Sequence, residues 1–201
     1  MLYNYLMKEK TLQDLTKEEI GRLFPIEISS YSNNWPNLFE KEKRLITTTL
    51  KGGMFSRIEH FGSTSVPGLS AKDTIDILME VDFEDEKNRE LINLMKSLSY
   101  EFNWQNEDSQ PHMVFVKGYN VSSPKEQTFH IHAGPKDHPV WDRILFRDYL
   151  IDHPETAKEY EQLKLKLAVE FRHERVAYRI AKTEFVKEIT DRAKQSLLQQ
   201  S

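Results

Sequence analysis

No stretch constrains this chain more than Thr74-Ile75-Asp76-Ile77-Leu78-Met79-Glu80-Val81. The run is strongly apolar and lacks the alternation of a half-exposed strand, so it reads as a strand buried within a sheet. Asp76 lies inside it, and a buried carboxylate requires a charged or hydrogen-bonding partner. Any sheet built around this strand carries an acid in its interior.

The flanking segments supply the other layers. Arg57-Ile58-Glu59-His60-Phe61 alternates as a strand should, and Gly62 to Gly68 is a loop of small residues. Further strands are expected near 100–104, 112–117 and 127–133, the last two joined as a hairpin by the polar turn 118–126. Thr16-Lys17-Glu18-Glu19 is a capping box that opens a short helix ending near Phe24. Pro36 stands at a first helical position, and Leu38, Phe39, Leu45, Ile46 and Leu50 follow at helical spacing until Gly52-Gly53. A helix over 85–98 places Leu91, Leu94, Met95 and Leu98 on one face. Beyond Pro139 two stripes mark a C-terminal helical layer: Tyr160, Leu163, Leu167 and Phe171, then Tyr178, Ala181, Phe185 and Ile189. The expectation is one α/β (α+β) domain, a mixed β-sheet packed on helices, with its core over about 26–136 and the helical layer over about 137–198.

Composition narrows the partners. The 201 residues are 38% hydrophobic and 30% charged, a globular rather than a disordered profile. The formal charge is -4, with Lys and Arg interleaved among Glu and Asp, so no basic stripe is available for nucleic acid. A pocket of two or three cations still suits a small acidic ligand. The absence of Cys excludes disulfides, thiolate nucleophiles and sulfur-bound zinc. The N-terminal residues contain no apolar leader core and no segment has the length of a membrane span, which reads as a cytoplasmic protein without a membrane partner. The homo-oligomeric state is left open.

The segment from His60 to Val81 carries the chemistry. A strand delivers the chain to Gly62-Ser63, and the loop Thr64-Ser65-Val66-Pro67-Gly68-Leu69-Ser70-Ala71-Lys72-Asp73 leads to the strand bearing Asp76. Glycine lets the backbone approach a phosphate, backbone N–H groups can form an anion nest, and serine hydroxyls add donors. An acid on the neighbouring strand can hold a divalent cation against the same phosphates.

This segment closely resembles the GrpB family, placed in the polymerase-β-like nucleotidyltransferase superfamily, whose signature is a Gly-Ser pair followed by an acid-bearing strand. The resemblance extends to Ile28–Arg44 with Tyr31, Trp35, Pro36, Phe39 and Glu42, to His130-Ile131-His132, and to a C-terminal pattern. That pattern comprises Trp141, Phe146-Arg147-Asp148-Tyr149-Leu150, His153-Pro154, Tyr160, Leu163-Lys164 and Ala181-Lys182-Thr183. It implies a nucleotidyltransferase fold. It also implies transfer of a nucleoside monophosphate from an NTP to a small-molecule or protein acceptor, with magnesium or manganese. The superfamily's two-metal chemistry wants acids on alternate strand residues, which lie about 7 Å apart. Here position 78 is Leu, and Glu80 lies about 13 Å along the strand from Asp76.

His130 and His132 alternate on their strand where related enzymes carry a third acid, so Asp76, His130 and His132 are the expected catalytic and metal-binding set. Zinc becomes a candidate if the imidazoles are ligands, and imidazole also suits general-base work. Gly62, Ser63, Thr64, Ser65, Lys72, Arg147 and Lys182 are the expected nucleotide or phosphate contacts. His60 is read as a structural hydrogen bond beneath the Gly-Ser turn, and Glu80 as a rim charge. The alternative is a non-catalytic nucleotide or phosphometabolite-binding module that lacks the second acid. A third reading is a scaffold that binds a protein through its C-terminal helices.

Overall fold

The computed structural model describes residues 12–50, 53–105, 110–121 and 126–199. The readings made on the N-terminal leader, on Gly52 and on residues 122–125 of the polar turn lie in part or wholly outside these residues. The strands are β1 (Arg57–Phe61), β2 (Thr74–Glu80), β3 (Glu101–Gln105), β4 (His112–Lys117) and β5 (Thr128–Gly134). They form one sheet in the order β1-β2-β5-β4-β3. β2 and β5 pair in parallel, and the other three pairings are antiparallel, β4–β5 among them as the expected hairpin.

The helices are α1 (Lys17–Leu23), α2 (Trp35–Thr49), α3 (Asp85–Ser97), α4 (Asp142–Asp152), α5 (Pro154–Glu170), α6 (Arg175–Ile180) and α7 (Thr183–Gln199). Thr16 caps α1 through the anticipated capping box with Glu19. Among the described residues no helix is long and apolar enough to cross a membrane.

The two faces of the sheet are covered differently. Ile75, Ile77 and Met79 of β2 join Phe129 and Ile131 of β5 in the main core, closed by Trp35, Phe39 and Ile46 of α2 and Leu91 and Met95 of α3. On the other face Leu78 packs with Phe61, Val140 and Ile144. That is why apolar residues of β2 lie on both of its faces: Ile75, Ile77, Leu78 and Met79 are all fully buried, whichever way they point. The C-terminal layer reaches the small-residue loop through a second cluster, in which Val66 and Leu69 meet Phe146, Leu150, Tyr160 and Ile189.

One expected stripe is interrupted. The run Tyr178, Ala181, Phe185 and Ile189 does not form a continuous helix; α6 ends at Ile180, α7 begins at Thr183, and Ala181 is exposed. The backbone tightens there, with the Lys182 N–H donating to Arg179 O across three residues at 3.3 Å. Hydrophobic spacing continues across such a break, so periodicity does not reveal it. Lys182 stands at this break, over the Tyr178 ring and within electrostatic reach of Asp76.

Glu42, buried on α2, is held by the Tyr100 hydroxyl at 2.9 Å and by the Lys117 ammonium. Removing the carboxylate by Glu42→Ala strands a largely buried cation and a phenol. The expected cost is roughly 3–5 kcal/mol, read as a fall in urea stability. A change below about 1 kcal/mol, the level of a surface ion pair, would show that solvent already screens this pair.

Candidate functional site

The register of β2 against its neighbours builds the floor of the site. Asp76 is opposite His130 on β5 and opposite Phe61 on β1, and Leu78 is opposite His132. Directly paired residues share a face, so Asp76, His130, His132 and Phe61 all point toward the C-terminal helices. Gly62 follows Phe61 with φ 74° and ψ -175°, a conformation open to glycine and few other residues. A Cβ at Gly62 would overlap Asp76 Oδ2 and stand 3.0 Å from the Asp76 Cβ. The turn and the acid are therefore in contact, and only a missing side chain allows it.

The loop beyond Gly62 is stabilised from within. Thr64, buried, donates its hydroxyl to Thr74 O at 3.1 Å and contacts His60 Nε2 at 3.0 Å. His60 stacks on Phe39, with ring centroids 4.8 Å apart, and burial followed by the charge of Arg147 lowers its pKa to about 4. It is a neutral structural group beneath the turn. The Ser65 hydroxyl donates to Gly62 O at 2.6 Å. Ser63 is half-buried, and its side chain meets the Tyr160 hydroxyl, whose ionisation burial suppresses.

A polar chain reaches Asp76 from the opposite side. Arg175 Nη1 donates to Phe24 O at 2.8 Å, and Arg175 Nη2 donates to the Tyr119 hydroxyl at 2.8 Å. Tyr119 Oη is 2.6 Å from His130 Nε2. With Arg175 as donor, the Tyr119 proton goes to Nε2, which leaves the imidazole proton on Nδ1, 3.7 Å from Asp76 Oδ1. Burial, then Lys72 and Arg175, lower the His130 pKa to about 3, so the ring is neutral. His132 is lowered by burial, then by Arg143 and His112, and its Nδ1 is 2.8 Å from His112 Nε2 on β4.

Cations converge on the single carboxylate. Burial raises the Asp76 pKa, and Lys72, Arg143 and Lys182 oppose that shift. Burial lowers the Lys72 pKa, helped by Arg175 and Lys182. Lys182 is lowered to about 8 by burial, against Asp76, and its ammonium lies 4.3 Å from the Tyr178 ring centroid. Lys164, at 2% exposure, donates to Ser70 O and is lowered to about 7 by burial and then Lys182. The side chains of Asp76 and His130 keep 28% and 22% of their surface open to solvent. The chain is acidic overall, yet at this site lysine and arginine side chains outnumber the one carboxylate.

The structure therefore brings together Gly62, Ser63, Lys72, Asp76, His130 and Lys182. Arg147 is placed elsewhere. Its Nη1 donates to His60 O at 2.7 Å and to Glu59 Oε2 at 3.3 Å, and its Nε to Asp148 Oδ1 at 2.6 Å, so it ties α4 to β1. Arg143, one turn earlier on the same helix, lies by Asp76 and His132. The hydroxyls of Thr64 and Ser65 are spent inside the loop, and His132 is joined to His112. Among the described residues no group of three His, Asp or Glu side chains is arranged to hold a metal ion.

Sequence reading missed Arg143, Tyr119, Arg175 and Lys164. A choice between Arg143 and Arg147 needs helix packing, because residues four apart share one helical face. Lys164 did leave a signal, a lysine beside the apolar stripe of α5.

Residues 25–192 match the model of the family described as GrpB protein, and the chain belongs to that family. It is 37% identical over 84% of its length to a UPF0157 protein of Pseudomonas aeruginosa, spanning 67% of that protein. It is 34% identical over 87% of its length to the UPF0157 protein YqkA of Bacillus subtilis, spanning half of that relative. The crystal structure of conserved protein GrpB from Enterococcus faecalis superposes with a TM-score of 0.74 at 30% identity, covering 86% of this chain and 99% of that one.

Proposed function

We propose that the pocket binds a phosphate-bearing small molecule, an NTP or a phosphorylated metabolite, through lysine and arginine side chains. The observation that carries this reading is the convergence of Lys72, Lys182 and Arg143 around one carboxylate, with Arg175 behind Tyr119 and His130, in a protein of net charge -4. Burial works against the charge on Lys72, Lys164 and Lys182, so the unliganded pocket is electrostatically uncomfortable. Charge placed at such cost belongs to function more often than to stability. A phosphate relieves it by supplying the missing anion.

The Gly62-Ser63 turn beside the Asp76 strand supports reading the sheet as a nucleotidyltransferase fold. A specific feature favours the catalytic version as a second reading. Burial moves Asp76 toward neutrality, the range suited to a general base, and His130 is oriented beside it by Tyr119. In nucleotidyl transfer, Asp76 would take the proton of the acceptor hydroxyl as that oxygen attacks the α-phosphorus and pyrophosphate leaves. A divalent cation fits the site poorly, because Lys72, Arg143 and Lys182 already face the one carboxylate that would hold it. No step is therefore routed through a metal.

Calorimetric titration with ATP and with inorganic triphosphate tests the binding claim. Dissociation constants in the micromolar range are expected, weakened at least tenfold in Lys72→Met, in line with the loss of one charge-assisted contact. No heat from either ligand at millimolar concentration would sink the proposal. Incubation with α-labelled ATP and a metabolite pool tests the second reading: label moving to an acceptor in wild type and not in Asp76→Asn supports transfer.

A further inference from the structure

The charge arrangement also says which form of the ligand the pocket takes. Resting on the phosphate-binding reading above, we infer that the pocket binds a polyphosphate in its metal-free state, with protein cations in the place that divalent ions occupy in two-metal phosphoryl-transfer sites. Two-metal centres are built by several carboxylates that hold ions about 4 Å apart. Here the strand position that would extend such a set is Leu78, which is fully buried in an apolar cluster with Phe61, Val140 and Ile144. Leu78 has a packing role, so its place cannot be lent to a ligand oxygen.

The remaining geometry points the same way. Lys72 comes from the loop before β2, Arg143 from α4, Lys182 from the break between α6 and α7, and Arg175 from the start of α6. Lys72, Arg143 and Lys182 thus bring positive charge from separate elements to one acid, and Arg175 reaches the imidazole beside it through Tyr119. Arg175 is fixed by Phe24 O and Tyr119 rather than by a carboxylate in those contacts, and Lys182 lies over an aromatic ring. His130, the imidazole nearest Asp76, has its Nε2 engaged by Tyr119. A hydrated magnesium ion carried in on a triphosphate keeps several of its waters and its positive charge. It would set that charge against the cations already present and cancel the negative charge that attracts the ligand. Free triphosphate meets cations that outnumber the one carboxylate among them.

The test is calorimetric titration of the full chain with inorganic triphosphate, once in EDTA and once in excess magnesium. Tighter binding in EDTA by at least tenfold is expected, and Lys72→Met and Arg143→Gln should each weaken the EDTA value by at least tenfold. Far-UV circular dichroism checks that both variants are folded. Binding that needs magnesium, or is equal with and without it, overturns the inference and leaves the phosphate-binding proposal standing. Binding in EDTA that neither folded variant disturbs also overturns it, because the anion would then sit elsewhere. Failure to bind in both conditions removes the inference and the proposal together.

Discussion

Lys182→Met is expected to weaken triphosphate binding at least tenfold while making the unliganded protein harder to unfold in urea. The two effects have one cause. Burial holds the Lys182 pKa at about 8, against an ordinary 10.5, with Asp76 only partly compensating. The folded state therefore resists the charged form, and methionine keeps the apolar stem while removing the charge. The pH dependence has a definite sign. A lowered ammonium pKa means that the unfolded chain binds more protons between about 8 and 10.5, so wild-type stability rises with pH across that window. The penalty is complete below pH 8, and there the variant should gain most. Urea midpoints at pH 7.5 and pH 10 provide the check: the gain of the variant over wild type should shrink at the higher value. A lower midpoint for the variant at pH 7.5 would identify Lys182 as a structural contact and remove it from the binding set.

Gly62→Ala should destabilise the fold and disturb the acid beneath the turn in a single substitution. Two costs combine. Alanine at φ 74° and ψ -175° enters a region almost reserved for glycine, which costs about 1–3 kcal/mol. Its Cβ also collides with Asp76 Oδ2 and lies 3.0 Å from the Asp76 Cβ, so the acid or the turn has to move. A total loss of at least about 3 kcal/mol is expected. Gly68→Ala is the matched control, because Gly68 has φ 80° but no atom within 4 Å of the added Cβ. It should lose about 1–2 kcal/mol from backbone conformation alone. Denaturant titration of both variants measures the difference. Equal losses would mean that the turn does not press on Asp76, and the pocket would lose its physical basis. Where Gly62→Ala remains folded at low temperature, it should also lose triphosphate binding through the displaced acid.

The local elements were legible because each has a local cause. The apolar run from Thr74 to Val81 announced β2, the capping box at Thr16 announced α1, and the polar turn after Lys117 announced the β4–β5 hairpin. Residues four apart on one helix carry no such information about which of them enters a site. Arg147 and Arg143 were equivalent in sequence, and packing of α4 against β1 sent Arg147 to Glu59 and His60 O. The break at Ala181-Lys182 was hidden because hydrophobic spacing runs on through it. Tyr119 and Arg175, separated by 56 positions, left no sequence pattern to connect them.

From its order of residues alone, this chain declared its family, a mixed sheet with an acid on a buried strand, and a glycine turn just before that strand. Those properties follow from side-chain hydrophobicity and backbone sterics acting over a few residues. The parallel pairing of β2 with β5, which sets His130 opposite Asp76, and the gathering of distant lysines and arginines around that acid came only with the folded chain. Charge acts through space rather than along the backbone, so a chain of net charge -4 can hide a basic pocket until tertiary contacts assemble it.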